Sequence, residues 1–288
     1  MPKDSERRGV AGDAPGSGGG MRGEPPRMGV RRFGRVNWLG LWTLTLREVQ
    51  RFTNVWTQTL AAPVATAALF MVVFSLALGA QREAVDGVPF ALFLAPGILM
   101  MTVIQNAFAN TSSSILISKV QGNIVDTLMP PLSPGELLAG FVAGGVMRGL
   151  FVAAGVGLAI FPVVGLGLAH PLWALAFVIA GSALMALVGL VAGILAEKFD
   201  HLAALTNFVV TPLSFLSGTF YSIEVLPPAM QAAIQVNPIF YLIDGMRHAS
   251  LGQGDADPAL GLAVIVAVNV ALALLAWRWL RSGYRLKT

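Results

Sequence analysis

The stretch LSFLSGTFYSIEVLPPAMQAAIQVNPIFYLIDGMRHASL, residues 213–251, lies between two apolar runs and is itself neither a plain loop nor a plain span. Pro227 and Pro228 open a short apolar segment, residues 229–236, because proline suits the first turn of a helix and breaks its interior. Asn237 and Pro238 end that segment, and residues 239–251 read as a second short amphipathic piece. Neither reaches the roughly 20 residues that a membrane crossing needs. Two short pieces hinged by prolines and tethered between spans predict a re-entrant or interfacial hairpin over residues 222–252. Broken backbone at membrane depth survives only where protein buries it or where it lines a cavity. This segment is therefore the candidate gate or path lining, through Glu224, Pro227, Pro228, Asn237, Pro238, Asp244 and Arg247.

The chain around it is 55% hydrophobic and 12% charged, with a mean hydropathy of +0.71. A soluble domain carries about 25% charged residues. The composition predicts an all-α integral membrane protein. There is no cysteine, which excludes disulfides, thiolate metal sites and cysteine nucleophiles. The basic balance, with a pI of 9.8, raises nucleic acid as a partner. The placement of the basic residues points instead to membrane topology and no nucleic acid.

Working outward, six spans are expected over residues 59–80, 89–110, 137–161, 172–196, 202–221 and 259–280, each near the length that crosses about 30 Å of hydrocarbon. Residues 1–36 are rich in Gly, Pro and Arg and lack the apolar core of a signal peptide; they read as a disordered tail. Residues 37–58 read as an amphipathic interface helix. Trp38, Leu41, Trp42, Leu46, Val49, Phe52 and Trp56 share one face, while Arg47, Glu48, Gln50, Arg51 and Asn54 lie elsewhere. Of the 19 Lys and Arg residues, ten precede residue 59. Lys119, Lys198, Arg278, Arg281, Arg285 and Lys287 fall on the same side, against Arg82 and Arg247 on the other. The positive-inside rule then places both termini, including the tail 282–288, in the cytoplasm.

The loop 111–136 is cytoplasmic in this scheme. Its centre, residues 115–129, is amphipathic with a glycine in the middle, and reads either as an interfacial lid or as a docking element. Ser133 and Glu136 have capping-box spacing, with Pro134 at the first helical position. Gly140, Gly144, Gly145 and Gly149 in the third span, and Gly181, Gly189 and Gly193 in the fourth, permit close helix approach.

Arg148, within the third span, costs at least about 2.5 kcal/mol to insert and needs a partner, water or headgroups. It can meet an anionic substrate group, or pair with a carboxylate, or snorkel. Gln105, Asn106 and Asn110 can line a polar path or bond between helices. Asp244, Arg247 and His248 share a helix face at i, i+3 and i+4, a local salt bridge rather than a metal site. Glu224 is placed to cap the short helix after it. His170, His201 and His248 stand in different connections and form no cluster.

Taken in order, these residues carry a resemblance. Ser217-Gly218-Thr219-Phe220-Tyr221, then Glu224-Val225-Leu226-Pro227-Pro228, Asn237-Pro238, Tyr241, Asp244 and Arg247, resemble the end-of-domain signature of ABC transporter permeases of the ABC-2 export type. Asp126-Thr127-Leu128-Met129-Pro130-Pro131-Leu132-Ser133 resembles their cytoplasmic loop after the second span, with Pro130 where alanine is more usual. Arg47-Glu48, Arg51-Phe52 and Pro63 are similar to their leading helix and first span. The resemblance covers about residues 40–280 and is greatest to bacterial drug and polysaccharide exporters. It implies a permease subunit of the bacterial inner membrane that pairs with itself or with a sibling and binds separate ATPase subunits. It implies contact with the ATPase at Arg47, Glu48, Arg51, Gly122, Asp126 and Leu128. The chain carries no Gly-rich phosphate loop ending in Gly-Lys-Ser/Thr, so ATP is expected on the partner, with no cofactor and no metal here. The alternatives are an ion-coupled secondary transporter, which favours paired carboxylates within spans and an inverted repeat, and a membrane-embedded lipid- or glycan-modifying enzyme, which needs a clustered acid/base or metal set.

Overall fold

The computed structural model describes residues 34, 36–79, 84–85 and 87–286. The tail 1–36 therefore lies almost wholly outside the described residues, as does Arg82. The described chain is helix packed on helix, with one two-stranded turn.

Helix α1, Trp38–Thr53, is capped by Asn37, whose side chain accepts from the Gly40 amide. It breaks at Asn54, and α2, Trp56–Gly79, follows at once. The first span thus begins three residues earlier than the sequence predicts. Strands β1 (Ala84–Val85) and β2 (Val88–Pro89) pair antiparallel and lead into α3, Phe90–Val120. Helix α4, Ile124–Leu128, is one turn long. Helix α5, Pro134–Val164, opens with the expected capping box between Ser133 and Glu136. Helix α6 is Pro171–Leu195, and the last span, α11, is Pro258–Ser282. Six helical stretches, including Phe199–Thr219, are long and apolar enough to cross a membrane.

Two expectations need correction. Residues 111–120 are not loop: α3 runs unbroken to Val120, and only Ile124–Leu128 forms a separate short helix. The hydroxyls that make this stretch look loop-like bond back onto the helix, Ser112 to the Phe108 carbonyl and Ser118 to that of Ser114. The fifth span is also not one regular helix. Helix α7 (Phe199–Leu205) passes into a π-helical stretch, Thr206–Val210, then α8 (Thr211–Ser214), then a second π-helical stretch, Phe215–Thr219.

The spans α3 and α6 form the centre. A Cβ on Gly189 of α6 would lie 2.5 Å from the Phe108 carbonyl oxygen of α3. Only a glycine admits that approach. The core buries Phe108, Phe177, Leu94, Ile98, Ile104, Leu184 and Leu190 almost completely.

Candidate functional site

Two regions gather the residues singled out above. The first is at the α1 end. Helix α1 turns Leu44, Glu48 and Phe52 inward and leaves Trp38 and Trp42 72% and 64% exposed. Gly144 of α5 makes the inward turn possible, since its missing Cβ would meet that of Glu48 at 2.5 Å. The Glu48 carboxylate accepts from Ser114 Oγ of α3 at 2.7 Å. It pairs with Arg47 at 3.2 Å and Arg51 at 3.4 Å. Arg51 also donates to Ser113 Oγ at 3.0 Å and to Asn110 Oδ1 at 3.0 Å. Burial pulls its guanidinium below the ordinary arginine value, and the Glu48 carboxylate opposes that shift. Arg47 donates to Thr127 Oγ1 of α4 at 2.9 Å. Glu136 closes the ring, accepting from the Asn37 amide at 2.6 Å and the Ser133 amide at 2.6 Å.

This geometry sorts the residues expected at a partner contact. Gly122 and Asp126 are exposed on the tip between α3 and α5, and Leu128 is half-buried. Gly122 turns the chain with φ +72°, a conformation that favours glycine. Arg47 and Arg51 retain 46% and 30% side-chain exposure. Glu48 retains 1%, so it faces the interior rather than a soluble partner. The expected face grouped Phe52 with Trp38 and Trp42 and set Glu48 apart; the structure instead turns Phe52 inward beside Glu48 and leaves the two tryptophans outside.

The second region is the hairpin. After a 3-10 turn, Ile223–Val225, helix α9 (Pro228–Gln235) buries no residue. Helix α10 (Pro238–Leu251) buries ten. The Asn237 side chain bonds Ser217 Oγ at 2.7 Å, which ties the start of α10 to the end of the fifth span. Leu242 and Met100 crowd the face of Gly181; Met100 and Gly181 each lie about 15 Å along their own helices at 1.5 Å per residue. The far end of α10 meets the chain just before α6, where the His170 amide donates to the Ala249 carbonyl at 2.8 Å. Helix α10 therefore rises from mid-span depth to the end of the bundle, as a re-entrant hairpin requires.

Within α10, Arg247 donates to the Gly218 carbonyl at 2.8 Å, sits 3.8 Å from the Phe93 ring centroid, and lies 3.8 Å from Asp244. Asp244 accepts from the amides of Asp255 at 2.7 Å and Ala256 at 3.0 Å. Burial pushes this carboxyl up, and the Asp255 amide and Arg247 pull it back. The pair thus clasps two connections rather than only pinning its own helix.

Glu224 does not cap the following helix. It is exposed, and α9 has no side-chain cap because Pro227 stands at its N-cap position. Ser222 caps the 3-10 turn instead. Two of the histidines do come together: His170 and His248 stack at 5.3 Å, with Trp173 edge-on to His248 at 6.5 Å. Sequence reasoning also missed Lys119, whose Nζ donates to the carbonyls of Ile194 at 2.8 Å and Ala196 at 2.6 Å, closing the end of α6. A lysine in the last turn of a helix was the available signal, but the partner lies some 75 residues away. Arg148 donates to Asn106 Oδ1 of α3 at 3.1 Å. Among the described residues no group of three or more His, Cys, Asp or Glu could hold a metal.

Six spans, a broken fifth span, a re-entrant hairpin and a leading amphipathic helix are now in place, and residues 40–251 match the family described as ABC-2 type transporter. The chain belongs to the ABC-2 type transporter membrane family. It is similar to the inner membrane transport permease YadH of Escherichia coli K12, at 36% identity over 251 residues, covering 87% of this chain and 98% of that protein. It is also similar to nodulation protein J of Rhizobium leguminosarum bv. viciae, at 26% identity over 263 residues, covering 88% and 100%. This ABC-2 chain is an integral membrane transport permease by that membership.

Proposed function

We propose that the chain is the membrane subunit of an ATP-driven exporter in a bacterial inner membrane, with both termini cytoplasmic. It works as a homodimer or with a sibling permease, and separate ATPase subunits bind at the α1 end. Family membership and the printed name of the Escherichia coli relative support the transport part. One observation carries the coupling part: the tip, exposed at Gly122 and Asp126, is bonded to α1 through Thr127, and the α1 segment is bonded in turn to α3 and α5. Arg47 joins α1 to Thr127 of α4, Glu48 joins α1 to Ser114 of α3, and Glu136 joins α5 to Asn37. A displacement of the tip therefore moves three helices together.

In this reading, ATP binding draws the two ATPases together and the docked tips follow. The spans tilt as rigid bodies, and the hairpin, hinged at Pro227–Pro228 and Asn237–Pro238, opens an exit. Coupling of this kind needs a two-state element biased from both ends, and the interface between two permease subunits supplies it. The chain itself holds no cofactor; ATP belongs to the partner.

The test is purification of the tagged chain from its native membrane in mild detergent. The expected result is a stoichiometric soluble subunit with a phosphate loop, whose ATPase activity is lost from the complex in Asp126→Arg while the permease keeps its melting temperature. A permease that always comes alone, or an Asp126→Arg complex with unchanged affinity and activity, overturns the coupling assignment.

A further inference from the structure

Between α1, α2, α3 and α5 lies a cavity of about 660 Å³. Arg51 and Arg148 both line it, with Gln58, Thr102, Gln105 and Asn106, and no carboxylate does. The charge at this place is unbalanced. Glu48, behind Arg51, is shared with Arg47. Arg148 has the neutral Asn106 oxygen at 3.1 Å and, among the described residues, no ion pair. The Nε atoms of both Arg51 and Arg148 are buried without a hydrogen-bond partner. A guanidinium presents five donors in a planar fork suited to phosphate and carboxylate. Holding one inside a span costs at least about 2.5 kcal/mol, and one amide oxygen offsets little of that. The rest of the wall is mixed: Phe52, Val55, Ala62 and Met101 form an apolar part, and Thr59, Thr66 and Ser113 add hydroxyls.

We propose that this cavity binds the anionic headgroup of a membrane amphiphile, a phosphate or phosphate ester. Arg148 and Arg51 clamp the anion, and Phe52, Val55, Ala62 and Met101 take the start of the tail. Inorganic phosphate shares the headgroup chemistry but not the tail, which separates the two sources. The site stands whether or not the chain exports, since binding alone is measured.

The experiment uses the full chain, with whatever subunits accompany it, in dodecyl maltoside, which carries no phosphate. Arginines are modified with phenylglyoxal and followed by peptide mass spectrometry. The probes are dihexanoyl phosphatidic acid, dihexanoyl glycerol and inorganic phosphate. Saturable protection of Arg51 and Arg148 by the phosphatidic acid is expected, with none from the glycerol ester. Inorganic phosphate should protect about tenfold more weakly, the loss of roughly one or two buried methylenes of tail contact. By native mass spectrometry, Arg148→Gln should weaken binding of the phosphatidic acid about tenfold or more, since a charged hydrogen bond is removed, while Arg148→Lys keeps most of it. Equal labelling with and without the probe, equal protection by the glycerol ester, or unchanged binding in Arg148→Gln overturns the site. Equal protection by inorganic phosphate overturns the amphiphile assignment. If Arg148→Gln does not fold, the protection of the wild-type arginines decides alone.

Discussion

Glu48 and Asp244 are both buried carboxylates beside an arginine, yet they hold the two ends of the molecule in different ways. Glu48 joins separate helices, and its partners Arg47 and Arg51 stay 46% and 30% exposed. Asp244 fastens its own helix to the connection that follows, and its partner Arg247 is 4% exposed. A pair open to water on one side exchanges partners at little cost, because water replaces what is lost. A sealed pair does not, because removing one member strands the other's charge. The α1 end is therefore built to shift as bonded helices, and the hairpin is built as a clasp with one strong catch.

Substitutions that remove one side chain from each end test that contrast. The largest loss is expected from Arg247→Ala, about 3–5 kcal/mol, which strands Asp244 in a sealed site. It is read as a fall in the melting temperature of the detergent-solubilised chain. Glu48→Gln should cost less, about 1–3 kcal/mol, since the amide still accepts from Ser114 but leaves Arg51 without its carboxylate; the same melt measures it. Ser133→Ala removes one half of the capping box and should cost about 1 kcal/mol, seen as faster hydrogen exchange in the first turn of α5. The smallest effect is expected from Arg47→Ala, at most about 1 kcal/mol for a half-exposed pair. An Arg47→Ala loss as large as that of Arg247→Ala would break the distinction between an open end and a sealed one.

Much of this plan was legible because it is local. The spans announce themselves by length and hydropathy, and α5 by Ser133, Pro134 and Glu136, three residues whose spacing is itself the cap. The hairpin was legible because prolines interrupt it at Pro227, Pro228 and Pro238. What the sequence concealed depends on chain brought from far away. Residues 111–114, Thr-Ser-Ser-Ser, look like loop because their hydroxyls suit turns. Ser112 and Ser113 bond back to the Phe108 and Ala109 carbonyls, Ser114 bonds Glu48, and α3 continues through them. Glu48 looked like a surface residue because amphipathicity finds a polar face but cannot say that a glycine on another helix has made room for it. His170 and His248 are 78 positions apart, and only the return of α10 to the start of α6 stacks them. The bonds of Lys119 to the end of α6 are hidden for the same reason. The π-helical stretches have no pattern at the level of residue type.

Those two stretches, Thr206–Val210 and Phe215–Thr219, give the fifth span a property that the other five lack. The first is a wrinkle in the helix, one residue more than the turn would normally hold; the second holds Gly218 at φ +81° and ends the span. Moving a wrinkle along by one position exchanges one backbone hydrogen bond for another and rotates the residue it passes by about 100°. We expect Phe208 to change the direction it faces in this way while both ends of the span stay anchored. A spin label at that position, measured with and without nucleotide on the complex, would reveal such a rotation; a label that never changes its environment would mean the wrinkle is locked.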